Sequence, residues 1–529
     1  MGQQHWAYEM ADNILSECGS NAITCASGIS PSGTVHAGNL REAITSDFVH
    51  RALIEKGAES RLIFSWDDFD RFRRVPYGVD ESFSEHIGKP YCEIPDPLGE
   101  LESYAERHEQ EFERYAEKLG IGAQFIRQSE MYKSGVYDDD IREALIKRRD
   151  VGTILARNMT QGMTPEQLDN YFPISLYSRF TGNDDVTILS FDGDDKIKYK
   201  CNQTGKEDTI DFTKDRRVKL AWKADWPMRW RFEGVNFEPG GHDHASPGGS
   251  YDVASQVASE IFKIVPPKFM EYNFVRIKGS GGKMSSSKGN VFSPRDLLDV
   301  YSPDMIRWMY ARADPGSNLD IAFNQEVIRA YEEFDQSVAG LNCESSDTML
   351  QTLKLSSTTG TPLTLTNPVP FKQITGMGNA TDFNQERVTE LLDRYGQSFD
   401  KDSVIDRLKR GQTWMEKHFP LARCSLLDSP NTQFYEGLDD MQRGYIGSLL
   451  DVVRRADTMS LEDIESELYR IPKKEGMSGS EKKTAQKNFF LTAYNTLFGK
   501  DRGPRLGTFL WASPRDCLEG LLDLEPDKK

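Results

Sequence analysis

The sequence predicts an α/β protein: a Rossmann-type domain on a parallel sheet, with insertions, followed by an all-α C-terminal domain. Three observations predict it. Two short strand-like runs, Ile23–Ala26 and Arg61–Trp66, flank a long helical pattern over residues 38–56; that is the order of a βαβ unit, which requires a parallel sheet. The α/β pattern resumes over residues 213–275 after intervening insertions. From residue 382 to the end the periodicity is helical, with no β-rich block.

Residues 5–20 have helical spacing through Trp6, Met10, Ile14 and Leu15. The first strand then runs into a loop dense in Gly, Ser and Pro, and Gly38 opens the next helix. Such a junction suits phosphate, because helix-start N–H groups are unpaired and the helix dipole favours an anion there. Neither G-x-G-x-x-G nor G-x-x-x-x-G-K-[ST] is present. His36 and Asn39 stand at the helix entrance instead, with Gly38 between them leaving the backbone open to a ligand. The helix carries Leu40, Ile44, Phe48, Ala52 and Leu53 on one face, and Gly57 supplies its stop.

The second strand ends in Asp67, Asp68 and Asp70. In a parallel sheet these lie at the same rim as His36, either as a ligand-binding cluster or as helix caps and solvated loop acids. Residues 70–100 are loop-rich, an insertion over that rim. Residues 100–118 and 138–156 are helical, with a short strand at Gln124–Arg127 between them. Residues 171–212 become strand-like, holding Ser175-x-x-Ser178 and Cys201-x-x-Thr204. The spacing is that of a zinc ribbon with three of its four thiolates missing; hydroxyls are poor zinc ligands, so no structural zinc is expected.

Trp222, Trp226 and Trp230 follow, with the last two assigned to the core, and then GGHDH at residues 240–244. Lys283–Lys288, KMSSSK, sits in a Gly/Ser loop. Two lysines among small hydroxyl residues make either a clamp for a polyanion or a solvated basic turn. Residues 291–335 are helical, and 340–380 read as a loosely structured connection rich in Ser, Thr and Pro.

At 529 residues the chain exceeds one core, and 38% hydrophobic with 28% charged residues describes a globular protein. The scattered, odd set of seven cysteines suits reduced thiols in a cytoplasmic protein. No apolar run is long enough for a membrane span, and MGQQHWAYEM lacks the basic and apolar regions of a signal peptide. A net charge of −18 weighs against nucleic acid as a partner. Locally, however, Lys473–Arg505 holds eight basic residues and three acids, either a solvated helix face or an RNA-facing surface.

The words P-S-G-x-x-H-A-G-N at 31–39 and K-M-S-S-S at 283–287 resemble the HIGH and KMSKS signatures of class I aminoacyl-tRNA synthetases. The stretches S-G-I-S-P-S-G, F-S-W-D-D-F-D-R-F-R, D-W-P-M-R-W, K-M-S-S-S-K-G-N and G-P-R-L-G resemble the class I lysyl-tRNA synthetase family in particular. The resemblance implies ligation of L-lysine to tRNA(Lys) at the expense of ATP with Mg2+, and neither membrane nor DNA as partner. It implies catalytic roles for His36, Asn39, Lys283 and Lys288. It assigns Pro31, Gly38, Gly241, Asp243, Met284, Ser285 and Ser287 to ATP, and Ser30, Glu42, Trp222, His244 and Tyr272 to the amino acid. Glu42 can alternatively serve as a first-turn acid complementing the helix dipole, Asp243 as a cap, and Trp222 as core. Asn39 replaces the last His of the first signature and Ser286 the second Lys of the second, which passes that role to Lys288.

The expected organisation is a catalytic domain over 1–280, with its insertions at 70–100 and 171–212. A KMSKS-loop and helical connecting domain follows over 281–340, then a polar connection over 341–381, and a helical anticodon-binding domain over 382–529. A class I synthetase for another amino acid, or a paralogue that binds tRNA without catalysis, shares much of this pattern.

Overall fold

In the computed structural model of the protein, residues 4–20, 22–278, 292–340, 345–361, 363, 367–396 and 398–524 are described. Five strands form the central sheet: β1 (Ile23–Ile29), β2 (Ser60–Trp66), β3 (Gln124–Arg127), β9 (Val235–Gly241) and β10 (Lys268–Tyr272). Their order is β10-β9-β1-β2-β3, and every neighbouring pair is parallel. The chain therefore builds outward from β1 in one direction, then returns to build outward on its other side. The crevice above the C-terminal ends of β1 and β9 is the point where the winding reverses, the usual ligand position in such sheets.

Helix α1 (Trp6–Cys18) and helix α2 (Ala37–Glu55) bracket β1 in sequence. Leu40, Ile44, Phe48, Ala52 and Leu53 of α2 are fully buried, as their spacing requires. The opposite face is buried too: Arg41, Thr45, Ser46 and Asp47 are inside. Arg307, from the helix Pro303–Ala311, meets Asp47 at 2.6 Å, and Arg41 donates to the carbonyls of Asn273 and Asp314 at 2.7 and 3.0 Å. Buried polar groups are tolerated when each finds a partner. The helix stops where Gly57 takes φ 85°, a left-handed conformation that glycine adopts without strain.

Helix α3 (Tyr104–Lys118) leads into β3. The segment between β2 and α3 winds around a small apolar cluster of Phe72, Tyr91, Ile94, Tyr104 and Ala105. The second insertion is β-rich. Strands β4 (Ile174–Leu176) and β8 (Val218–Leu220) pair antiparallel, and β5 (Val186–Phe191), β6 (Lys196–Cys201) and β7 (Glu207–Asp211) form an antiparallel meander. A further parallel pair joins β11 (Val275–Ile277) to β12 (Leu319–Ile321).

The ribbon-like corners gather on one sulfur. Cys201 is buried, and hydrogen bonds from Thr204, Ser178 and Thr181 converge on it. Burial alone would raise its pKa; those hydrogen bonds outweigh it and bring the thiol down to about 7.

The chain divides into two compact units. The first comprises Met1–Leu298, Pro303–Ile321 and Leu341–Leu363; the second comprises Asp299–Ser302, Ala322–Gly340 and Thr364–Lys529. Among the described residues of the second unit the regular elements are helices, the longest being Lys401–Lys417, Asp440–Arg455 and Gly479–Phe498. The polar stretch expected to be loosely structured carries two helices, Asp347–Ser356 and Phe371–Ala380. The first is capped by Ser346, whose hydroxyl accepts from the Met349 N–H at 3.3 Å. No helix among the described residues is long and apolar enough to cross a membrane.

Candidate active site

A cavity of about 610 Å3 opens at the winding reversal, a volume suited to a small-molecule substrate. Its wall includes Ser30, His36, Gly38, Asn39 and Glu42 from the first half of the sheet, and Trp222, Gly241, Asp243, His244 and Tyr272 from the second. The sequence-assigned residues of both halves thus meet in one place. Pro31 is buried and does not join that wall. Lys283, Met284, Ser285, Ser287 and Lys288 lie outside the described residues.

His36 is the N-cap of α2. Its Nδ1 accepts from the N–H groups of Gly38 and Asn39 at 3.0 and 3.3 Å, and Asn39 Oδ1 accepts from the His36 N–H at 3.2 Å. This is a capping box with histidine and asparagine in place of the usual serine and glutamate. An accepting Nδ1 places the neutral ring's proton on Nε2, which makes that nitrogen a donor. A Cβ on residue 38 would stand 2.8 and 2.9 Å from His36 Cε1 and Nδ1, so glycine there is a steric requirement.

Glu42 lies one turn further along α2. Its Oε1 accepts from the Gly28 N–H at 3.2 Å, and its Oε2 accepts from the Tyr272 hydroxyl at 2.8 Å. Burial, reinforced by the charges of Glu238 and Asp67, pushes its pKa up to about 8. α2 begins at Ala37 and has no acid in its first turn, so Glu42 is not a first-turn acid serving the helix dipole; it lines the cavity.

The acids after β2 separate into different roles. Asp68 is buried and accepts from the Ser129 N–H at 2.8 Å, a structural contact. Asp67 and Asp70 line the cavity. Arg229 binds Asp67 at 2.7 Å and Asp225 at 3.1 Å, while Lys219 binds Asp70 and stands 3.8 Å from Asp225. Burial raises Asp67 to about 6, against the pull of Arg229. Burial would also raise Asp70, but the Lys219 ammonium outweighs it and holds that carboxylate below its usual range. Ser30 Oγ donates to Asp70 at 3.3 Å.

Lys219, Asp225 and Arg229 were not among the sequence candidates. The i, i+4 spacing of Asp225 and Arg229 was the available signal, but it does not distinguish a buried network from a surface pair.

Trp222 stacks on Trp226, with centroids 5.1 Å apart and planes at 19°, and its ring forms part of the wall. Trp226 and Trp230 belong to the core as expected; both also donate their indole N–H to Glu238, at 2.9 and 2.6 Å. His244 stands edge-on to Trp226 at 5.9 Å. Burial lowers its pKa, keeping the ring neutral near pH 7, and its Nδ1 has no hydrogen-bond partner among the described residues. A carboxylate and a neutral imidazole nitrogen, as Glu42 and His244 present here, can each accept a hydrogen bond from an organic ammonium, whereas the Trp222 ring already lies between Trp226 and the Arg229 guanidinium, 5.2 Å from the latter.

The family model of tRNA synthetases class I (K) matches residues 4–357. The lysine–tRNA ligase of Pyrococcus horikoshii is 35% identical over 535 residues, covering 98% of this chain and 99% of its own. That of Streptomyces coelicolor is 33% identical, covering 98% of each chain, and that of Borreliella burgdorferi is 32% identical, covering 96% of this chain and 97% of its own.

Proposed function

Since the chain belongs to the class I (K) family of tRNA synthetases, we propose that it is a lysine–tRNA ligase acting in the cytoplasm. It activates L-lysine with ATP and transfers it to the 3′-terminal ribose of tRNA(Lys). The observation that carries this reading is the pairing, in one cavity, of a helix entrance fit for phosphate with a half-buried carboxylate fit for an ammonium.

In the first step a lysine carboxylate oxygen attacks the α-phosphorus of ATP, the bond to the bridging oxygen breaks, and pyrophosphate leaves. In the second a ribose hydroxyl of tRNA attacks the acyl carbon and AMP departs. Neither step needs a covalent enzyme nucleophile, so catalysis rests on alignment and on stabilising charge. His36 Nε2 and the Asn39 amide donate to the phosphate and ribose side of ATP at the α2 entrance. Gly38 keeps the approach open. Gly241 and Asp243 take the ribose hydroxyls.

Glu42, with the Tyr272 hydroxyl, and His244 Nδ1 receive the ammonium groups of lysine, and Trp222 and Ser30 complete its walls. Lys283 and Lys288, with Met284, Ser285 and Ser287 beside them in sequence, neutralise the leaving pyrophosphate. Mg2+ arrives as the counter-ion of ATP, consistent with Asp67 and Asp70 being engaged by Arg229 and Lys219.

In the second unit, all eight basic residues of the Lys473–Arg505 segment are exposed, which supports an RNA-facing surface there. Phe489 and Phe509 are core residues, so they are not the faces that stack on RNA bases.

Amino-acid-dependent ATP–pyrophosphate exchange, measured with each of the twenty amino acids and with tRNA present, tests the proposal. Exchange with lysine supports it. Exchange with a different amino acid, or tRNA binding without exchange, refutes it. Lys283→Ala that leaves the exchange rate unchanged refutes the role given to that lysine.

A further inference from the structure

The segment Arg73–Gly78, which leaves β2 and passes over the rim of the cavity, has features the activation step does not use. Phe72 is fully buried between Tyr91 and Tyr104, at ring distances of 5.9 and 5.5 Å, and Val75 and Val79 pack against the same cluster. The backbone is fixed as well: the Phe72 N–H donates to Lys89 O at 2.8 Å, and the Val79 N–H to Pro76 O at 3.2 Å. With the apolar residues anchored inward, Arg73, Arg74 and Tyr77 are left exposed. Tyr77 is 77% exposed, the second most exposed large hydrophobic side chain among the described residues.

The charge pattern is unusual for its surroundings. The cavity wall carries the acids Glu42, Asp67, Asp70 and Asp243, and Arg73 is its one Lys or Arg among the described residues. Arg71 is paired with Asp184 at 3.2 Å. Arg73, Arg74 and Tyr77 make no hydrogen bond, ion pair or ring contact among the described residues, although Arg73 feels the charge of Asp70. The segment also adjoins the loop that carries His36: Pro76 Cβ would lie 3.9 Å from a Cβ built on Gly33. A preformed turn presenting two unpaired guanidinium groups and a bare phenol ring, beside the cavity, has the chemistry that single-stranded nucleic acid demands. Phosphates take the cations, and an unpaired base stacks on the ring.

We propose that Arg73–Gly78 docks the single-stranded 3′ end of the RNA substrate, with Tyr77 stacking on a terminal base and Arg73 and Arg74 on flanking phosphates. The proposal rests on the reading of the chain as a tRNA ligase and specifies where the acyl-accepting end enters.

Equilibrium binding of full-length tRNA(Lys), and of the same tRNA trimmed of its last three nucleotides, to wild type, Arg74→Ala, Tyr77→Ala and Tyr77→Phe provides the test. Each alanine variant is expected to bind intact tRNA about tenfold more weakly. Tyr77→Phe, which keeps the stacking face, should bind like wild type, and all four proteins should bind trimmed tRNA equally. Alanine variants that bind intact tRNA as wild type does overturn the proposal. So does an equal loss toward both RNAs, and so would a protein-docking role, which leaves both RNAs unaffected. Binding does not depend on which amino acid is charged. A 3′-end-dependent difference without lysylation by wild type therefore sinks the ligase reading and keeps the docking surface; lysylation with unaltered variants does the reverse.

Discussion

The hydroxyl of Tyr272, at the end of β10, donates to Glu42 Oε2 at 2.8 Å, joining the second half of the sheet to the helix that His36 caps. Glu42 is half-buried, and desolvation with Glu238 and Asp67 in electrostatic reach raises its pKa to about 8. Below that value the carboxyl is neutral and cannot hold an ammonium as an ion pair. The lysine KM should therefore fall as pH rises from 6 to 8, by roughly tenfold per unit at the acidic end. Lysine binding at pH 7 should release a proton from Glu42, measurable as a buffer-dependent enthalpy. Glu42→Gln should raise the lysine KM by about 100-fold and remove its pH dependence over that range.

Two roles of His36 can be separated: its Nδ1 caps α2, and its Nε2 is proposed to donate to substrate. Asparagine also caps helices well, so His36→Asn should keep thermal stability within about 1 kcal/mol. It should lower kcat by about 100-fold or more through the lost donor. Thermal unfolding alongside steady-state lysylation checks both halves.

Gly38→Ala places a methyl 2.8 Å from the His36 ring. In an ordinary helix this substitution stabilises by up to about 1 kcal/mol. Here it should displace the imidazole, so kcat falls at least about tenfold while the protein remains folded by circular dichroism.

Arg229 is buried between Asp67 and Asp225. Arg229→Met leaves both carboxylates without that partner and should cost about 3–5 kcal/mol of stability, read from denaturant unfolding of the first unit. A loss below about 1 kcal/mol would contradict the buried network.

The parts of the site that were legible in the sequence are those set by local chemistry. His36, Gly38 and Asn39 stand out at one loop-to-helix junction, and the resemblance to class I synthetases adds Glu42 one turn on; all four line the cavity. The alternation of strand and helix carried the parallel sheet, including β3 at Gln124–Arg127. What escaped depends on partners far apart in the chain. Lys219 meets Asp70 across 149 positions and Arg307 meets Asp47 across 260, and no periodicity encodes such pairs. For the same reason the apolar spacing of α2 gave no sign that Arg41, Thr45, Ser46 and Asp47 are buried as well. The helix Asp347–Ser356 was hidden by the Ser/Thr-rich stretch around it; its signals were the cap residue Ser346 and the spacing of Met349, Leu350 and Leu353.

The most direct measurement of the central claim is the charging of purified tRNA with labelled lysine by wild type and by Glu42→Gln. The account predicts lysyl-tRNA from the wild type and a loss of about 100-fold in kcat/KM for lysine in the variant. Absence of lysyl-tRNA from the wild type, or an unchanged kcat/KM in the variant, would contradict it.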